Sequence, residues 1–215
     1  MAEHCDIITF VLDASGSMAS AKQDAIDGFN EYIEGLRAAE TPSLLKLITF
    51  NSQGINHGEQ YIDVTRIARL NAETYLPMGG TPLLDAVGEA ILSTDSALSS
   101  AKAKPGVIVV ILTDGLENAS IEYSRRDIHD LIVQRRELGW EFIFLAANQD
   151  AWRTGAGLGV GARYTSGFDI QDKKAAFRSS LDSSLRIKQQ YYEKAQEERR
   201  RRSRQRTPGS TNSEN

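Results

Sequence analysis

Residues 5–18 read CDIITFVLDASGSM. Apolar and β-branched residues run unbroken from Ile7 to Leu12 and stop on Asp13. Three oxygen-bearing side chains then stand at alternate positions: Asp13, Ser15 and Ser17. A strand with one wet face alternates polar and apolar residues, whereas one covered on both faces does not. The stretch therefore predicts a central strand over 5–12, in a parallel sheet with helices on either side. The change after it predicts a loop at the strand's carboxyl end, where open α/β sheets hold their ligands.

Working outward, the apolar period changes from Ser17. Ala25, Ile26, Phe29, Tyr32, Ile33 and Leu36 recur at helical steps, and Thr41-Pro42 ends that helix. LLKLITF (44–50) predicts a second strand. The stretch 51–59 is too short for a crossover helix, so a short strand around QYIDV is expected to run antiparallel to it. TPLLDAVGEAILSTDSALSSA predicts a helix with Thr81 as N-cap and Pro82 in its first turn. GVIVVILTDG (106–115) is the clearest buried strand. A helix capped by Ser124 and Asp127 follows and closes at Gly139. WEFIFLAAN is the next strand. A short helix from Asp150 and a weak strand near ARYTS come after it. The last helix is expected from about Gln171 past Tyr191, with Phe177, Leu181 and Leu185 on one stripe. The fold class expected is thus α/β: a Rossmann-like three-layer sandwich. Its sheet has about six mostly parallel strands and one antiparallel edge strand.

The 215 residues suit one domain over 1–192, followed by the end of the last helix and a basic disordered tail over 193–215. Residues 194–215 carry Lys194 and six arginines against three glutamates. Their net charge is +4, which leaves −8 on residues 1–193 of a total of −4. An acidic body argues against a nucleic-acid surface there, and only the tail offers one. No apolar run is long enough to span a bilayer. The first residues show no secretory signal, and Cys5 is the only cysteine, so a reducing cytoplasmic location is expected.

Three loops should meet at one sheet edge: Asp13-Ala-Ser15-Gly-Ser17, Gly79-Gly80-Thr81 and Thr113-Asp114-Gly115. Asp13, Ser15, Ser17, Thr81 and Asp114 supply two carboxylates and three hydroxyls, with no thiol or imidazole. Such hard oxygen donors suit Mg²⁺, and Mn²⁺ or Ca²⁺ as well. Only five protein donors are on offer, so a near-octahedral ion would keep waters or an open position.

These residues carry a resemblance. DASGSM has the Asp-x-Ser-x-Ser form of the von Willebrand factor type A family, GGTPL resembles its threonine loop and LTDG its second aspartate loop. The resemblance covers roughly residues 5–190. The stretch from TDGLENAS to AANQDA also resembles short stand-alone bacterial and phage-borne members. It implies a metal-ion-dependent adhesion site in which Ser15, Ser17 and Thr81 give hydroxyls to a Mg²⁺-like ion. Asp13 and Asp114 would hold that ion directly or through water. A Glu or Asp of a partner protein would complete the coordination. The function it implies is a non-enzymatic, metal-dependent protein-binding module.

Two other functions fit parts of the chain. A Mg²⁺-dependent phosphatase-like hydrolase would use Asp13 as nucleophile. Such sites want a second acid two residues on, where Ser15 stands, and a lysine, which none of the three loops has. A nucleic-acid-associated scaffold would use the basic tail. Asn51 and Asn148 stand near the same edge, with turn or capping roles favoured. GAGLGVG (155–161) follows a helix and precedes a strand, the reverse of a dinucleotide-binding turn. His57 is read as solvated and Trp140 as core.

Overall fold

The computed structural model describes residues 5–39, 41–58, 60–101, 105–114, 116–147, 157–160, 165–168 and 173–205. Strand β1, Asp6–Asp13, lies at the centre with every residue buried. It pairs in parallel with β2 (Ser43–Asn51) on one side and β5 (Val107–Thr113) on the other. The sheet runs β3-β2-β1-β5-β6-β7, with β6 at Glu141–Ala147 and β7 at Thr165–Phe168, both parallel to their neighbours.

At the β2 edge the sheet differs from expectation. Two short antiparallel strands pair with β2: β4 (Ile62–Asp63), in the QYIDV stretch, and the unexpected β3 (Gly54–Asn56). Asn51 pairs with Gly54 across a two-residue turn. A three-residue strand in polar sequence has no apolar period to announce it.

Alternate residues of β1 feed two cores. Ile8, Phe10 and Leu12 face helices α1 (Lys22–Arg37) and α4 (Lys173–Gln205). Phe10 stacks on Phe177 of α4 at 5.9 Å and meets Phe29 and Tyr32 of α1 edge-on at 5.4 and 4.9 Å. On the other face, Val11 joins Ile48, Phe50, Val109 and Ile111 beneath α2 (Leu83–Ser99) and α3 (Arg125–Glu137). Trp140 is buried there and stacks on Phe142, a core role as expected. Full burial of one such side chain stabilises by about 1.5–3 kcal/mol, and both faces of β1 and β5 gain it.

Three further boundaries differ from the sequence reading. The helix expected from Ser17 opens as a 3-10 turn over Gly16–Ala21, and α1 begins at Lys22. Thr81 does not cap α2, because the N-cap position falls on Pro82, which has no side chain to accept a bond. Helix α4 continues past Glu198 through the arginine run to Gln205, for arginine is a good helix former. The α3 reading agrees in full: Ser124 and Asp127 form a capping box, and Gly139 follows the helix at φ 92°. The short helix from Asp150 and residues 206–215 lie outside the described residues. Among those described, no helix is long and apolar enough to cross a membrane.

Candidate functional site

The carboxyl ends of β1 and β5 lie side by side, so Asp13 and Asp114 emerge at neighbouring points of the sheet edge. Asp13 is fully buried. Its Oδ1 accepts from the Ser15 amide at 2.7 Å and its Oδ2 from the Thr113 hydroxyl at 2.5 Å. Ser15 Oγ lies 3.0 Å from Ser17 Oγ, and Ser17 Oγ donates to Asp114 Oδ1 at 2.6 Å. Asp13, Ser15, Ser17 and Asp114 are thus linked in one run of hydrogen bonds spanning the two strand ends, the first through the Ser15 amide and the others between side-chain oxygens.

Thr81 makes no described hydrogen bond to this group; the loop that leads to it does. The Gly16 amide donates to the Gly79 carbonyl at 2.9 Å, and the Met78 amide to the Ala14 carbonyl at 2.8 Å. These bonds lay the 78–81 loop against the Ser15–Ser17 turn. Gly79 sits at φ +69°, where a Cβ would also collide with Ser52 Oγ, so glycine is required. Thr81 itself is buried and is held from the other side by Asn118. Its amide donates to Asn118 Oδ1 at 2.8 Å, and its carbonyl accepts from the Asn118 amide at 3.2 Å.

The loop after β5 is fastened to the start of α2 by two carboxylates. Glu117 accepts from the Leu84 amide at 2.9 Å, filling the cap that Pro82 leaves open. Ser120 Oγ accepts from the Leu84 and Asp85 amides as well. In return, Asp85 accepts from the amides of Ile121, Glu122 and Tyr123 at 2.8–3.0 Å. Thr81 and the start of α2 are therefore held by the 117–123 segment. Sequence reading missed Glu117, Asn118 and Asp85 because each bonds a residue more than thirty positions away. It also missed Tyr75, whose hydroxyl donates to the Asp13 carbonyl at 2.5 Å. The GLENAS run after LTDG was the available signal: its polar side chains suit capping.

Burial pushes the Asp13 carboxyl above its usual range. Bonds from Thr113 and Ser15 oppose the shift, and the nearby Asp114 charge adds to it. A cation beside both carboxylates would remove the burial cost and the repulsion together. The donor chemistry fits one. Each Asp13 oxygen accepts one described bond and has a second lone pair, and a hydroxyl that donates to a carboxylate still has lone pairs to give. Among the described residues no three His, Cys, Asp or Glu side chains group as metal ligands, so any such set must draw on the hydroxyls.

The remaining residues near this edge have local partners. Asn51 accepts from the Gln53 amide at 2.8 Å, a turn role, while Asn148 lies outside the described residues. His57 pairs with Glu89 rather than standing only in solvent.

No family model matches this chain, and no curated protein matches it by sequence. Solved structures do match in fold. The pilus adhesin SpaC of Lactobacillus rhamnosus GG superposes with TM-score 0.65 at 12% identity over 89% of this chain and 31% of its own. A von Willebrand factor type A protein of Catenulispora acidiphila gives 0.60 at 15% identity over 85% and 43%. The manganese-loaded TRAP protein of Plasmodium vivax gives 0.53 at 18% identity over 80% and 72%. This chain shares its fold with these structures, and it spans under half the length of the first two proteins.

Proposed function

We propose that Asp13, Ser15, Ser17, Thr81 and Asp114 hold one divalent cation, of the Mg²⁺ class with Mn²⁺ or Ca²⁺ as alternatives. The bound ion captures an acidic side chain of a partner protein. The observation that carries this reading is the run of contacts from Asp13 through Ser15 and Ser17 to Asp114, with the loop that leads to Thr81 laid against it by the Gly16–Gly79 bond. When bound, the ion supplies an unquenched positive charge at the sheet edge. The chain's own part is to fix the hydroxyls and to hold Asp13 beneath them, out of water. An adhesin and a manganese-loaded protein among the similar folds support a protein-binding role and a divalent ion.

A hydrolase is disfavoured by the residues of these loops. The loops carry Ser15 rather than a second acid two residues after Asp13, and no lysine to steady a transferred group. The test is affinity capture with the whole chain as bait, in Mg²⁺ and in EDTA, beside Asp114→Asn. Partner recovery should need both the metal and Asp114. Equal recovery in EDTA, or equal recovery by the variant, contradicts the proposal.

A further inference from the structure

Seven large apolar side chains are described as exposed, and four of them stand on the loops that flank the site. Leu76 (51% exposed) and Met78 (37%) lie on the β2 side, in the loop that bonds Ala14 and Gly16. Leu116 (58%) and Ile121 (92%) lie on the other side, in the loop after β5. The remaining three, Leu92, Leu138 and Tyr192, are scattered over α2, the end of α3 and α4. Single exposed apolar residues are ordinary, but a group around a polar centre is what an interaction surface presents.

Nothing in the local packing makes this exposure an accident of a loose loop. The Ile121 amide is held by Asp85 and the Met78 amide by the Ala14 carbonyl, so the backbone fixes these side chains outward. Leu76 also forms the lip of a cleft of about 350 Å³ between the site and the β2–β3 hairpin. Ala14, Phe50, Ile55 and Tyr75 line the cleft, and Asn51 and Gln53 lie at its edge. Ala14 stands between Asp13 and Ser15, so the cleft adjoins the loop that carries these two proposed ligands.

Charge narrows the occupant. Residues 13–21, 71–81 and 114–124 contain no Lys or Arg, but they include Glu73, Glu117 and Glu122 as well as the two aspartates. These five carboxylates outnumber Lys22, whose ammonium donates to the Ala72 carbonyl at 2.6 Å, so the ion is the main attraction for an approaching acid. A second or third acid on the same ligand meets the carboxylates without a second ion.

We infer that the partner surface presents a single carboxylate flanked on both sides by large apolar side chains. The carboxylate meets the ion. One flanking side chain enters the cleft beside Leu76, and the other packs on Leu116 and Ile121. This rests on the ion reading above and adds the chemistry of what the ion's ligand stands among.

The test uses capped peptides as probes, with the full chain and Mn²⁺. One peptide carries a single Glu between leucines, a second a single Glu between serines, and a third Gln between leucines. Mn²⁺ binding is followed separately by electron paramagnetic resonance. The leucine-flanked Glu peptide is expected to bind at least tenfold more tightly than either other peptide. Leu116→Ser with Ile121→Ser should erase that preference while Mn²⁺ affinity stays unchanged. If the chain binds Mn²⁺ and the two Glu peptides bind equally, or neither binds, the inference is overturned and the ion reading survives. If the chain binds no Mn²⁺, the ion reading itself fails and the inference falls with it.

Discussion

Asp13 accepts from Ser15 and Thr113 while fully buried, and that decides which substitutions inform. Asp13→Ala strips the acceptor from both donors, so it should cost about 1–3 kcal/mol of stability as well as any ion affinity. Asp114→Asn changes a partly exposed side chain, so its thermal unfolding should match the parent within about 0.5 kcal/mol. Thermal melts of the two variants test this contrast, and equal melts would show that Asp13 carries no structural share. Glu117 makes a second residue-scale prediction. Burial raises its pKa, but bonds from the Ser120 side chain and amide and from the Leu84 and Ala119 amides outweigh it and hold the carboxyl below its ordinary range. A depressed carboxyl stabilises the fold above its unfolded pKa and loses that contribution as pH falls through the folded value. Glu117→Gln should therefore melt lower than the parent at neutral pH, and the gap should close in acid. Asp13, Ser15, Ser17 and Asp114 were legible as neighbours because they lie in short motifs directly after β1 and β5, whereas Thr81 was read from the Gly79-Gly80-Thr81 motif ahead of α2. Glu117, Asn118 and Tyr75 were not legible, because their partners are fixed by the fold and not by neighbours in sequence.

At the scale of elements, the buried strands were readable because burial on both faces leaves a continuous apolar run in β1 and β5. The start of α2 was misread because Thr81-Pro82 looks like a self-sufficient cap, while the structure supplies the cap from another loop. Helix α4 ran further than composition suggested, since a charged run can be helical without an apolar stripe. The α1–α4 contact gives a sharp prediction. A Cβ on Gly28 would clash with the Phe177 ring, and one on Gly35 with Leu181. Phe177 is buried against Phe10 and has no room to yield. Gly28→Ala should therefore destabilise by about 1–3 kcal/mol from overpacking, partly offset by about 1 kcal/mol of helix propensity. Chemical denaturation measures the net, and a stabilised variant would contradict this packing.

Across the whole molecule, the described contacts between α4 and the body end near Glu198, which lines a cleft with Leu138 and Trp140. Arg200 and Arg201 are exposed, and Arg201 pairs with Glu197 of its own helix. Exposed pairs of that kind contribute little. Removing residues 199–215 should accordingly leave the melting temperature unchanged within a degree or two. The central claim concerns the opposite end of the sheet, where the ends of β1 and β5 bring Asp13, Ser15, Ser17 and Asp114 together and the 78–81 loop lies against them. A titration of the full chain with Mn²⁺, followed by electron paramagnetic resonance, tests it most directly. The account predicts one ion bound per chain, with affinity reduced at least tenfold in Ser17→Ala and in Asp114→Asn while both variants remain folded by circular dichroism. Parent protein that leaves Mn²⁺ free in solution, or variants that bind it as tightly as the parent, would contradict it.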